Sequence, residues 1–539
     1  MLALAVIVVV GAVVLAGGVL GRRTGIAPPV LMLAGGVLLG FVPRLREVEL
    51  PPEIVLLVFL PALLYWEALN SSLRAIRQSL RGVVLMSTVL VILSAGAVAA
   101  VANAFGVPWG PAWIMGAALA PTDATAVAAL GRVLPRRALE VLQAESLIND
   151  GTALVVYGVA VSVTTGAEHF SAVHVGWLFL GSYAGGVVSG VLVALAGVQV
   201  RKRLQDPLLA NLAILLMPFT AFLLAEEIDA SGVLAAVACG LIMSQVGPRV
   251  GTPAVRLISQ GFWSLGTYLL NGALFVLVGL QSQTAIRGLT SFDLKRALAT
   301  VACVSLTLIV VRLVFQTLTI YAIRALDRRP SQRGRRTTYR FRLVVGLSGF
   351  RGAVSLAAAL AVPMTVNGGG FLPDRDVIVF VAAGVIAALM LQAFVLPPLV
   401  RWADLPEDTV IRDERRMASR VAANEAMDSL PEIAAALGSR PEVAAMVRRE
   451  AEKHARLKQL DGPDPDDDEQ TDEEFDAEAA ERLREFDDQY RELRLALLDN
   501  KRATVIRLRH EGRIDDAVLR QIQARLDIEQ VRLSREELL

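Results

Sequence analysis

From Leu2 to Trp402 the chain is a succession of apolar runs, most of them close to bilayer-spanning length, and this pattern constrains the fold more than any other feature. A helix needs about 20 apolar residues to cross the hydrocarbon core. Within that core only helices and closed barrels satisfy their own backbone polar groups. The runs fall at 2–20, 27–43, 51–69, 81–105, 111–131, 141–165, 173–200, 208–226, 231–247, 260–281, 295–325, 342–365 and 377–402. They predict an all-α polytopic membrane protein with about 13 transmembrane helices. The first run lacks a basic n-region and is long enough to span, so it reads as a retained helix rather than a cleavable signal. Past Trp402 the long apolar runs stop. The expected organisation is a transmembrane domain over 1–403 and a cytoplasmic helical tail over 404–539.

Composition agrees. Charged residues make up 19% of the chain, against about 25% in soluble domains. A net charge of +1 gives bulk electrostatics no purchase on nucleic acid. The two cysteines, Cys239 and Cys303, lie inside apolar runs and read as small buried hydrophobes, with neither disulfide nor metal spacing.

Orientation follows from the loop cations, because cytoplasmic loops carry the excess of Lys and Arg. One set of alternate loops holds Arg22, Arg23, Arg74, Arg77, Arg81, Arg132, Arg136, Arg137, Arg201, Lys202, Arg203, Arg249, Arg256 and the run from Arg324 to Arg342. The other holds Arg44, Arg46, Arg287, Lys295, Arg296 and Arg375. The first set is read as cytoplasmic, which puts the N-terminus outside and the tail inside the cell membrane. In the tail, 412–460 reads as one or two amphipathic helices and the acidic stretch Asp461 to Asp476 as a break. Residues 477–510 and 513–535 read as a helical hairpin. Gly512 is the expected C-cap, with apolar positions Ile514, Val518, Leu519, Ile522, Leu526 and Ile528 at near-helical spacing. The tail serves packing or assembly, or alternatively senses a ligand; it shows no catalytic motif.

Ionisable residues inside a span cost at least about 2.5 kcal/mol and are read as functional. The chain has a small set of them: Glu67, Asp123, Glu145, Asp150, Arg312 and Arg351. In Ala120-Pro121-Thr122-Asp123-Ala124-Thr125 the proline opens the helix. Freed carbonyls beside a carboxylate suit a hard cation. A plain kink, in which Thr122 and Asp123 only satisfy freed backbone, would need no costly aspartate. In Glu145-Ser146-Leu147-Ile148-Asn149-Asp150, residues four apart share a helix face. Ser146 and Asp150 therefore form one face, suited to a cation that sheds its water. Glu145 and Asn149 form the neighbouring face. Glu145 then needs a cationic partner, and Arg312, mid-span in its own run, is the candidate for a structural ion pair. Around Arg351, the glycines at 346, 349 and 352 weaken the helix, or else permit close packing. Two interrupted spans in corresponding places of two halves point to inverted repeats with a midplane site. Asp123 would compensate a positive helix end and Arg351 a negative one. Glu67 is left open between a site residue and a group that snorkels to the interface.

Five segments also resemble a known family: Phe59-Leu60-Pro61-Ala62-Leu63-Leu64-Tyr65, Pro121-Thr122-Asp123-Ala124-Thr125, Glu145-Ser146-Leu147-Ile148-Asn149-Asp150-Gly151, Leu269-Leu270-Asn271-Gly272-Ala273-Leu274-Phe275-Val276-Leu277-Val278-Gly279-Leu280 and Gly349-Phe350-Arg351-Gly352-Ala353-Val354-Ser355. The chain resembles the monovalent cation:proton antiporters, in the sodium/proton exchanger branch. The resemblance spans nearly the whole membrane part and implies a fold of 13 helices with a dimer domain and a mobile core domain. It also implies a homodimer working by elevator-type alternating access. Residue by residue, it implies that Asp150 is the transported-ion carboxylate and Asn149 the neutral partner of the electroneutral branch. Ser146 would supply an ion-site hydroxyl. Thr122, through its carbonyl, and Asp123 are the unwound-helix contributions. Glu145 with Arg312, and Arg351, are supporting charges. The family often has an acid directly after the aromatic matched by Tyr65; here Trp66 stands there and Glu67 follows, which puts Glu67 as a ligand in doubt.

The expected function is secondary exchange of Na⁺, or of Li⁺ or K⁺, for H⁺, one for one. The partners are the two ions and membrane lipid. One carboxylate holds either load, so Asp150 must exchange protons near physiological pH. The chain is expected to be no enzyme and to use no cofactor, since no Walker pattern is present to bind ATP. K⁺/H⁺ exchange and Na⁺-coupled transport of another solute are the alternatives. A channel would want repeated filter segments, which are not seen. A receptor would leave the buried carboxylates unexplained.

Overall fold

Apolar composition makes these segments helices, and cheap start signals place their ends. In the computed structural model Pro207 and Pro253 stand at first helical positions, where a missing N–H costs nothing. The Ser231 and Thr338 hydroxyls cap the helices that follow them by accepting from Leu234 N and Phe341 N. The structure describes residues 2–46, 55–78, 80–123, 136–166, 172–204, 206–326, 338–365, 372, 374–404, 410–459 and 477–534.

The principal helices are α1 (Leu2–Thr24), α2 (Pro28–Leu39), α3 (Leu60–Asn70), α4 (Leu90–Ala104), α5 (Trp109–Leu119), α6 (Arg136–Thr165), α7 (Ala172–Arg203), α8 (Pro207–Glu226), α9 (Gly232–Val246), α10 (Pro253–Gly288) and α11 (Leu294–Leu326). They continue with α12 (Tyr339–Leu347), α13 (Ala353–Leu360), α14 (Arg375–Met390), α15 (Gln392–Ala403), α16 (Val410–Ala436), α17 (Pro441–Gln459), α18 (Ala477–His510) and α19 (Asp516–Ser534). Among the described residues nine helical stretches are long and apolar enough to cross a membrane, and Pro28–Leu39 and Leu57–Asn70 are shorter apolar helices. The other two apolar runs are interrupted. α5 stops at Leu119, and Ala120 to Asp123 are not helical; α12 and α13 are separated by Ser348 to Gly352. Ala124, Thr125 and the loop cation Arg132 lie outside the described residues. So do residues 327–337 of the basic run and the acidic stretch Asp461 to Asp476.

The chain divides into two compact units. The first, Met1–Arg203, Leu212–Gly247 and Gly261–Asp408, has its main core where α4, α5, α11, α13 and α14 pack. Leu15, Trp177, Leu180, Leu306 and Leu318 point outward from it. An apolar exterior of this kind suits lipid. Cys303 corrects the sequence reading: it is exposed on α11, whereas Cys239 is buried. A lipid-facing position and a protein-facing one are equally apolar in sequence.

The second unit is Leu204–Asn211, Pro248–Gln260 and Thr409–Leu539. Its helices α16, α18 and α19 close on Ala418, Ala422, Leu498, Val505, Ile514, Val518, Leu519, Ile522 and Leu526. Ile528 faces outward instead. Gly512, with φ +70°, carries the turn between α18 and α19. Asp527, buried on α19, accepts from Arg256 Nε at 2.6 Å and from Arg502 Nη2 at 2.9 Å. Gln523 Nε2 donates to the Pro248 carbonyl at 3.1 Å.

Candidate functional site

The two interruptions meet. Asp123 N donates to the Phe350 carbonyl at 2.9 Å, and Arg351 Nε donates to the Leu119 carbonyl at 2.7 Å. Leu119 is the last residue of α5, so the buried guanidinium lies against the partially negative end of that helix, where carbonyls lose their helical partners. Arg351 Nη1 also reaches the Gly349 carbonyl at 3.1 Å, within its own interruption. The Asp123 carboxylate sits against Gly352, the N-cap of α13, where a Cβ would collide with it. Gly352 has φ −126°, which any residue adopts, so space alone demands glycine there.

α6 delivers two faces, as its spacing requires. Asn149 Nδ2 donates to Thr122 Oγ1 at 2.6 Å, and that hydroxyl donates to Glu145 Oε1 at 3.4 Å. Arg312, 3% exposed, forks onto Glu145, 2% exposed, at 2.5 Å (Nη1–Oε1) and 3.0 Å (Nη2–Oε2). The bidentate geometry lets each charge satisfy the other away from water.

Ser146 and Asp150, on the other face, line a cavity of about 40 Å³ together with Glu67, Thr122 and Asp123. This volume holds a bare cation or very few waters. Of the residues singled out from sequence, Asp150, Ser146, Asp123, Thr122 and Glu67 share this cavity, while Asn149, Glu145, Arg312 and Arg351 do not line it. Glu67 is turned inward rather than to a boundary, and its Oε1 is buried without a hydrogen-bond partner among the described residues. Asn271 and Ser355 also line the cavity and were not singled out. Both lie in the motif segments; the available signal was a neutral polar side chain inside an apolar run. Among the described residues no three His, Cys, Asp or Glu side chains group as a resident metal centre. Oxygen-lined cavities at crossed helix breaks are where secondary transporters hold coupling ions.

Fold and site together define a membrane transport protein. Residues 8–402 match the family described as sodium/hydrogen exchanger, transmembrane. The chain belongs to the sodium/hydrogen exchanger family. It is 42% identical over 533 residues to an uncharacterised Na⁺/H⁺ exchanger of Mycobacterium tuberculosis, covering 98% of this chain and 96% of that one. A sodium, potassium, lithium and rubidium/H⁺ antiporter of Bacillus pumilus is 29% identical over 444 residues, covering 78% and 65%. In fold it is similar to the sodium proton antiporter MjNhaP1 of Methanocaldococcus jannaschii, with a TM-score of 0.54 at 18% identity, over 74% of this chain and 99% of that one.

Proposed function

We propose that this Na⁺/H⁺ exchange transporter moves one Na⁺ against one H⁺, with Asp150 as the group that holds either load. The carrying observation is that Asp150 and Ser146, on one face of α6, line the same small cavity as Asp123 and Thr122 from the interrupted segment. Na⁺ bound there takes oxygens from the Asp150 and Asp123 carboxylates, the Ser146 hydroxyl and the Thr122 carbonyl. A proton on Asp150 replaces it. Loaded forms cross; the empty, more highly charged form does not, because an uncompensated charge is expensive to move through a low-dielectric gate.

Asn149 supports the one-for-one count: an aspartate there would add a second titratable group on the same turn, and an amide adds none. The count requires Glu67 and Asp123 each to keep one protonation state throughout the cycle. The frame has 13 crossings with inverted repeats, the two interrupted helices among them; one part pairs two chains as a homodimer and the other carries the site across as an elevator. The N-terminus lies outside the cell membrane and the tail in the cytoplasm, by the bias of loop cations.

The B. pumilus relative favours a second reading, in which K⁺ or Li⁺ also serves as load. The cavity size speaks against an organic solute, since small-molecule sites run from about 300 Å³.

Asp150→Asn tests the assignment. The amide keeps shape and loses the exchangeable proton. The variant should fold and reach the membrane while cation-driven proton flux in proteoliposomes drops at least about 100-fold. Near wild-type flux overturns the role given to Asp150.

A further inference from the structure

The second unit contains a cavity of about 550 Å³ that ion exchange does not use. Its lining comes from the segment Pro248–Gln260 and the C-terminal turns of α18, and includes Arg249, Arg256, Arg502, Arg507 and His510 but no carboxylate. The acids around it are already engaged. Asp527 takes Arg256 and Arg502, Asp499 takes Arg502, Glu425 takes Arg507 and Thr504, Glu511 takes Arg507, and Asp516 takes Arg509. Among the described residues Arg249 and His510 have no hydrogen-bond or ion-pair partner, and Arg502 Nε is buried without one.

A recess that gathers cations and leaves several donors unused focuses positive potential. Partial burial, and then the charges of Arg249 and Arg509, hold His510 below its ordinary pKa, as such a potential requires. Guanidinium forks match phosphate oxygens in geometry as well as charge. The volume lies within the range of small-molecule sites and exceeds what a bare oxyanion fills.

We propose that this recess binds a phosphate ester of small-molecule size, with Arg249 and His510 supplying the contacts. The ligand is either a soluble phosphorylated compound or a phospholipid headgroup. Bound there, it bridges the Pro248–Gln260 segment and the end of α18, two parts of the chain already joined through Asp527 of α19, which takes Arg256 from the one and Arg502 from the other.

The test uses full-length protein in nanodiscs. In neutral phosphatidylcholine discs, pyrophosphate and adenosine triphosphate are titrated calorimetrically. In parallel, discs containing phosphatidylglycerol are compared with neutral ones for lipid retained on the purified protein by native mass spectrometry. Saturable binding in the first arm identifies a soluble phosphorylated compound; selective retention in the second identifies a headgroup. In either arm R249Q/H510Q should weaken binding at least about ten-fold, and R249K, which keeps the charge and loses the fork, should weaken it less. Raising the salt several-fold should also weaken binding, because exposed charge contacts are screened. The double variant should keep its melting temperature, since neither residue has a partner to lose. Absence of binding in both arms, or equal binding by R249Q/H510Q, overturns the proposal.

Discussion

Gly352 leaves room for the Asp123 carboxylate at the N-terminus of α13, and no larger residue fits between the two. Gly352→Ala therefore forces either the carboxylate or the helix end to move. The expected cost is about 1–3 kcal/mol, in line with overpacking elsewhere, with a raised half-saturating Na⁺ concentration. Sodium titration of exchange in proteoliposomes, beside a melting curve in detergent, reads both. An alanine variant with wild-type Na⁺ dependence would mean that Asp123 is not held as described.

Glu145 and Arg312 should behave as a coupled pair. Removing one partner of a buried ion pair costs about 3–5 kcal/mol, because the other charge is stranded. Glu145→Gln and Arg312→Leu are each expected to lower the melting temperature, and the double variant to lower it by less than their sum. Glu145→Gln should also disturb exchange, since the Thr122 hydroxyl that donates to Glu145 accepts from Asn149. Strictly additive melting shifts would show that the contact carries no coupling.

One-for-one exchange moves no net charge. Imposing a potential with K⁺ and valinomycin, at fixed Na⁺ and pH gradients, should leave rate and end point unchanged. A clear shift with voltage would mean that Glu67 or Asp123 changes protonation during the cycle, and would remove the stoichiometry while leaving the exchanger intact.

Glu425 links α16 to α18. Hydrogen bonds from Thr504 and then Arg507 hold its carboxyl below the usual glutamate range. A depressed carboxylate stabilises the fold above its unfolded-state pKa, and that contribution is lost as pH falls through the folded-state value. The α16–α18 contact is thus expected to loosen on the acid side of about pH 4.5. Glu425→Gln should remove that acid step while weakening the contact modestly at neutral pH, because the pair is largely exposed. Hydrogen exchange of α16 amides in the full-length protein, corrected for intrinsic rates, reads both effects; an acid step unchanged in the variant assigns it elsewhere.

How much of this was legible in sequence depended on how costly each residue is in a membrane. A charge inside a span is so unfavourable that Asp123, Glu145, Asp150, Arg312 and Arg351 announced themselves. Helical spacing alone separated the Ser146–Asp150 face from the Glu145–Asn149 face. Asn271 and Ser355 passed unnoticed because neutral polar groups are cheap to embed and find partners easily. Glu67 stayed undecided because a group near a span end can turn either way, and only packing shows that it turns inward. Cys303 was misjudged because hydropathy does not distinguish lipid from protein interior. The tail helices followed from their period and from Gly512. The tie between Arg256 and Asp527, 271 residues apart, has no local signature.

The bonds from Asp123 N to Phe350 and from Arg351 to Leu119 each end on a main-chain atom, which cannot swing away on a rotamer. The two interrupted segments are therefore tied to each other through the main chain. On the exchange cycle proposed above they would travel as one part and hold the ion with the same oxygens on either side of the membrane. Net direction then follows from the two ion reservoirs, and steep outside salt should run the machine backwards as readily as forwards.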